Sequence, residues 1–389
     1  MNMSTDFESQ FEMPEAPPAP QRRGFFSQPE TEMWIRRGTS FAIFVVSIFL
    51  VLFAFNILKE GILSGYDPQL TKRHTQFKNL SGFDNVTTTG NGVDVCIVDT
   101  GFDADHPDLA HVELAGWIDF IQDRDEPYDD NGHGTAMAGI LVAKNLLEGI
   151  APDVNLFIAK ALSASGPGTD TDIADAVDWC TDSGADIISL SLGGGQGIDL
   201  IFIDNDELEA AVNRAINQGV FVVAAAGNDG GADDDGDVAS PGSVDDVICV
   251  GAVDTDGTMW SNSSIGDNNG RLWPNPILPR NNPDMKPELV APGERIPVLN
   301  AQIGGTDALY AFGSGTSGAT VWVSGAIAHL LEHRPDLGQN GTSGGSQNTV
   351  QDVKQWIQES VVPQDGQNGH DDYYGYGRLR VDALLSMAS

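Results

Sequence analysis

A chain of 389 residues has room for one large α/β domain with extensions, or for two ordinary domains. With 41% hydrophobic residues and 45 glycines it can bury a sizeable core and turn tightly, which excludes global disorder. Its 56 acidic against 20 basic residues leave a net charge of −36, which excludes nucleic acid as a partner because nothing remains to neutralise phosphates. Such a charge reads as adaptation to high salt, where carboxylates hold water and ions and their repulsion is screened; an ordinary acidic extracellular protein is the alternative.

Residues 1–40 begin with Pro14, Pro17, Pro18 and Pro20 among acids and glutamines, without apolar periodicity, and read as a disordered tail. Residues 41–58 then run for 18 positions without a charge. At ~1.5 Å per residue they span ~27 Å as a helix, enough to cross the hydrocarbon core of a bilayer. Arg36 and Arg37 precede the run, Arg22 and Arg23 lie upstream, and Trp34 suits the interface. The positive flank predicts a single-pass cell-membrane protein with its N-terminus in the cytoplasm and residues 59–389 outside. A buried core helix and a cleaved signal peptide are the alternatives. The run ends Asn56-Ile57-Leu58-Lys59, without the small-residue pattern of a cleavage site, and the first arginine pair is too distant for a twin-arginine signal.

Residues 59–88 read as a polar linker and 89–389 as the main domain. Apolar runs at 93–98, 154–160, 186–192, 220–226 and 247–253 predict strands. Helical stretches intervene at 134–144, 172–183 and 207–218, two of them stopping at Gly184 and Gly219. This alternation predicts an α/β three-layer sandwich with a mostly parallel central sheet, preceded by one transmembrane helix. Residues 267–287, rich in Asn and Pro, read as a surface loop. Cys96 and Cys249 in strands and Cys180 in a helix read as small hydrophobes, implying neither a disulfide framework nor a zinc site.

Four segments point to chemistry. Val95–Val98 leads a buried strand into Asp99 and the turn Thr100-Gly101, at the strand end where open parallel sheets form their crevice. His133, between Gly132 and Gly134, opens a helix of small residues, and the glycines admit close neighbours. Ser317 sits in Gly313-Ser314-Gly315-Thr316-Ser317-Gly318 just before an apolar helix, near backbone N–H donors suited to an oxyanion. Val222–Ala226 delivers Gly227 and Asn228 to a strand end, where an amide can donate to developing negative charge. Alone, an acid such as Asp99 occurs in many α/β proteins, His133 reads evenly as a loop histidine, and Ser317 reads better as an ordinary N-cap.

Together, in the order Asp, His, Asn, Ser, these segments resemble the subtilisin-like serine proteases. Asp105-His106-Pro107-Asp108-Leu109, Val290-Ala291-Pro292-Gly293 and Gly375-Tyr376-Gly377-Arg378 share the resemblance, which spans about 89–388. It implies a serine endopeptidase acting through an acyl-enzyme, with Asp99, His133 and Ser317 as triad and Asn228 as oxyanion donor. It also implies that Ser191, Leu192 and Gly193 pair with an extended protein or peptide substrate, that Gly227 borders the same cleft, and that Gly166 marks the opposite edge.

The sequence departs from the family at Gly318, where methionine is usual, at Val321, where proline is usual, and at Ala136, often histidine. Gly318 implies lost packing behind the serine. No cofactor is required, and the family's strongest calcium site needs a longer loop than 143–149, although Asp108 matches one of its ligands. Asp233, Asp235 and Asp237 suit a hard cation, but in a chain this acidic a solvated charge run is the better reading. Asn79, Asn85, Asn262 and Asn340 begin N-x-S/T sequons, which an asparagine-rich chain also produces by chance.

Overall fold

The computed structural model describes residues 46–48, 50, 66–193, 207–231, 237–266, 280–305 and 308–388. The chain divides into a unit at 1–65 and a unit at 66–389. In the first, 46–48 and 50 are helical, with Val46, Ile48 and Leu50 exposed. The rest of the expected membrane span 41–58 lies outside the described residues, among which no helix is long and apolar enough to cross a membrane.

The second unit is built on a seven-stranded parallel sheet ordered β2-β3-β1-β4-β5-β6-β7. Its strands are β1 (Asp94–Asp99), β2 (Gly116–Asp119), β3 (Asn155–Lys160), β4 (Ile187–Leu190), β5 (Phe221–Ala225), β6 (Ile248–Val253) and β7 (Leu289–Pro292). The central strands are buried at nearly every position, as apolar runs covered on both faces must be. Helices α2 (His133–Val142) and α5 (Thr316–His333) pack on each other, as do α3 (Asp170–Asp182) and α4 (Glu207–Asn217), giving the three layers expected. An antiparallel hairpin of β8 (Ile296–Leu299) and β9 (Tyr310–Gly313) lies on α2, and α6 (Gln347–Ser360) and α7 (Val381–Met387) end the chain.

Three readings are corrected. Within the stretch read as a linker, residues 68–81 form a helix, α1 (Pro68–Ser81). Asp67 caps it by accepting from Gln69 N at 2.8 Å, Pro68 takes the first turn, and Gly82 ends it at φ 80°. Leu70 and Phe77 are buried, and the Phe77 and Phe83 rings stand 6.4 and 5.3 Å from Trp322 of α5. Arg73 donates to the carbonyls of Glu294 and Arg295 at 2.8 Å and pairs with Asp254, so the segment belongs to the folded unit. Its weak apolar periodicity hid it; two aromatic contacts and an arginine fork hold it.

Cys96 and Cys180 are disulfide-bonded, with their Cα atoms 5.9 Å apart, leaving Cys249 as a buried free thiol. Strand alternation turns Cys96 toward the layer containing α3, where Cys180 ends a buried stripe. Finally, the described part of the stretch read as a surface loop carries a buried ionic cluster. Lys286 and Lys354 hold one oxygen of Glu288 at 2.8 and 2.7 Å, and Cys249 N donates to its other oxygen at 2.7 Å.

Candidate active site

The sheet order reverses direction at β1, with β2 and β3 on one side and β4 to β7 on the other, so the crevice opens at the carboxyl ends of these strands. Asp99 closes β1, Ser191 follows β4 and Asn228 follows β5, all at this rim. His133 and Ser317 arrive from the first turns of α2 and α5.

Asp99 is fully buried and its carboxylate meets His133 Nδ1 at 2.8 and 2.9 Å, while the imidazole keeps 36% of its side-chain surface exposed. The approach depends on two glycines: a Cβ on Gly134 would enter the backbone of Gly101, and one on Gly101 would enter that of Tyr128. Burial alone would lower the His133 pKa. The Asp99 carboxylate, through its charge and its hydrogen bond, and then the charge of Asp129 outweigh burial and raise it above the ordinary histidine value.

Ser317 is 9% exposed. Its hydroxyl donates to the carbonyl of Ser191 at 3.0 Å, and the Ser191 hydroxyl donates back to the Ser317 carbonyl at 3.0 Å. The expected Ser317–His133 hydrogen bond is therefore not made in this conformation. Asn228 Oδ1 accepts from Thr316 N at 2.9 Å and from Thr316 Oγ1 at 3.0 Å. With that oxygen occupied, Nδ2 is turned away without a partner among the described residues. A Cβ built on Gly315 would stand 3.7 Å from Asn228 Oδ1 and 3.8 Å from both Asn228 Nδ2 and Ser317 N, so the two donors lie close to one another at this rim. Paired donors of this kind suit an oxyanion.

Of the expected substrate-edge residues, Ser191 is buried, Leu192 half-buried and Gly193 exposed. Gly166 lies in a turn closed by Ser163 N to Pro167 O at 3.1 Å, with open space around its Cα. Gly227, at φ 114°, donates to Thr316 Oγ1 at 3.2 Å and so lies beside the Asn228 clamp.

Sequence reasoning missed the support beneath His133. Asp129 accepts from Gly132 N (2.7 Å), Asn131 N (3.0 Å) and Thr100 Oγ1 (2.9 Å) on one oxygen, and from Thr135 N (2.9 Å) and Thr135 Oγ1 (2.7 Å) on the other. Lys160, fully buried at the end of β3, holds Asp130 at 2.8 Å, Leu162 O at 3.1 Å and Thr100 O. The signal was a carboxylate four residues before the histidine in one glycine-rich word. Behind the serine, the expected gap at Gly318 is filled: a Cβ there would overlap Ile296 Cδ1 of β8.

Metal candidates fare differently. Asp233 and Asp235 lie outside the described residues. Asp237 is not turned to a cation site; its carboxylate is gripped by both terminal nitrogens of Arg280, at 2.6 and 2.5 Å. Asp108 is buried and accepts from Tyr310 Oη at 2.7 Å and Leu147 N at 3.4 Å, while 144–149 close into a tight turn. The calcium ion that the resemblance associates with Asp108 would need further carboxylates beside it, and among the described residues none gather there. No group of three or more His, Cys, Asp or Glu gathers for a metal among the described residues.

Residues 90–377 match the model of the subtilase family. The chain belongs to the subtilases, the subtilisin-like serine proteases. This subtilase is 37% identical over 275 residues to serine protease AprX of Bacillus subtilis, a match covering 64% of this chain and 59% of AprX. It is 32% identical over 297 residues to subtilisin DY of Bacillus licheniformis, covering 76% and 91% of the two chains. It thus spans less than two thirds of AprX but about nine tenths of subtilisin DY. The solved structure of the prenylagaramide maturation protease PagA shares the fold, with a TM-score of 0.58 at 23% identity over 83% of this chain and 99% of that one.

Proposed function

We propose that this subtilase is an active serine endopeptidase in which Ser317 attacks the scissile carbonyl, His133 takes its proton and returns it to the leaving amine, and Asp99 fixes the imidazole tautomer. Asn228 Nδ2 and Ser317 N then receive the tetrahedral oxyanion. The observation that carries this reading is the convergence of the Asp99–His133 pair and the two free donors at one rim of the sheet. Extended substrate adds along Ser191–Gly193, with Gly166 across the cleft and Gly227 beside the oxyanion donor. Catalysis requires the Ser317 hydroxyl to leave the Ser191 carbonyl for the imidazole.

That resting hydrogen bond favours a second reading, a pseudoprotease that holds peptides without cutting them. Labelling with a fluorophosphonate separates the two. An active enzyme is labelled in wild type and not in Ser317→Ala, whereas an unlabelled wild type in its preferred salt removes the catalytic reading.

The uncharged run 41–58 behind Arg36 and Arg37 supports a single-pass anchor in the bilayer, with the peptidase unit outside the cell. Carbonate-resistant membrane association, lost on deleting 41–58, tests the anchor, and proteolysis of the second unit on intact cells tests its side. The net charge of −36 supports a high-salt habitat, tested by unfolding at molar and at low salt.

A further inference from the structure

The loop ahead of His133 carries two adjacent carboxylates with different surroundings. Asp130 is neutralised by Lys160, whose ammonium also lies 4.8 Å from the centre of the Tyr128 ring. Asp129 meets no cation among the described residues. Its five donors come from three places: Thr100, next to Asp99 at the end of β1; Asn131 and Gly132 in the loop; and Thr135 in the first turn of α2. Thr100 Oγ1 in turn accepts from Gly134 N at 2.8 Å, so both flanks of His133 are bound to this carboxylate directly or through one hydroxyl. The charged groups facing the imidazole are then Asp99 from β1 and Asp129 from the loop, with Asp130 and Lys160 cancelling.

We propose that Asp129 is a positioning residue for the base: it locks the turn carrying His133 onto the strand carrying Asp99, and its uncompensated charge favours the imidazolium formed as the serine attacks. This rests on the assignment of His133 as the base. Neutral N–H and O–H donors satisfy the carboxylate without quenching its charge, which is why it acts on the imidazole and Asp130 does not. Hydrogen bonds from Gly132, Asn131 and Thr135 hold Asp129 ionised even though burial alone would raise its pKa.

The test is Asp129→Asn in the whole chain, with active sites counted by fluorophosphonate titration. The amide keeps one acceptor oxygen, removes the charge, and turns an NH2 toward Thr135 N. Turnover per titrated site is expected to fall by up to about 10², the scale of a misplaced catalytic group, with KM within about twofold. The acid limb of kcat/KM is expected to move to lower pH, a change that a merely structural role would not produce. The downfield proton of the Asp99–His133 hydrogen bond should titrate at lower pH in parallel. An unmoved acid limb, or activity per site equal to wild type, overturns the proposal. If the amide variant does not fold, Thr135→Val, which removes one hydroxyl donor and keeps the charge, carries the test: turnover per site must fall with the limb in place, and unchanged turnover overturns the proposal. A wild type that fluorophosphonate fails to label would instead bring down the assignment of the base and leave Asp129 out of question.

Discussion

Replacing Gly318 by alanine tests how the helix that carries Ser317 is seated. The new methyl group would overlap Ile296 Cδ1, while Ile296 Cγ1 and Ile140 Cδ1 lie at ordinary contact distances of 3.5 and 3.6 Å from its position. Only one carbon therefore obstructs it. Overpacking a buried site costs about 1–3 kcal/mol. In the first turn of the helix alanine returns at most about 1 kcal/mol relative to glycine. Gly318→Ala should thus lose about 0–3 kcal/mol. Ile296→Val deletes the obstructing carbon and should lose about 0.5–1.5 kcal/mol on its own. In the double variant the alanine methyl fills the space that valine leaves and keeps its helix advantage, so stability should return close to wild type. The expected coupling is about 2 kcal/mol, read from urea unfolding of the four proteins at one salt concentration. Additivity within about 0.5 kcal/mol would show that Ile296 does not occupy the place of a side chain at 318.

Other outcomes follow from the same geometry. Because the base must be neutral to act and the His133 pKa is raised, kcat/KM should climb with pH through an apparent pKa above that of a free histidine; a climb complete below pH 6.5 contradicts it. Asn228→Ala should lower kcat by about 10²–10³ with KM little changed, the magnitude known for subtilisin's own asparagine; a loss confined to KM places the amide elsewhere. Burial first, and then the charge of Lys78, press the His74 pKa from 6.5 to about 4, so stability is full above pH 6.5 and declines as pH falls toward 4. At about 1.36 kcal/mol per unit this amounts to about 3 kcal/mol, which His74→Phe should abolish in acid unfolding curves. Denatured without reductant, the chain should present one reactive thiol, that of Cys249, and not three.

The strands β1 and β3 to β6 and the helices α2 to α4 were legible because buried parallel strands and their crossover helices write long apolar periods into the chain. The positions of Asp99, His133, Ser317 and Asn228 were legible because glycine must stand beside them for backbones to approach. What stayed hidden depends on partners distant in sequence. α1 is too polar to announce itself and is held by Trp322 and the carbonyls of Glu294 and Arg295. β7, only four residues long, is recognised by its pairing with β6. Asp237 had the composition of a cation ligand, and only its neighbour Arg280 shows its actual role. The loss of packing inferred at Gly318 failed for the same reason: a side chain 22 residues upstream fills the space.

The bond between Cys96 and Cys180 ties the strand that ends in Asp99 to a helix on the far layer, across 84 residues of chain. Such a link is at home where no glutathione or thioredoxin keeps sulfur reduced. The central strand is therefore redox-responsive: in an oxidising compartment the unit keeps the cross-link, and in a cytosol kept reduced it folds without it.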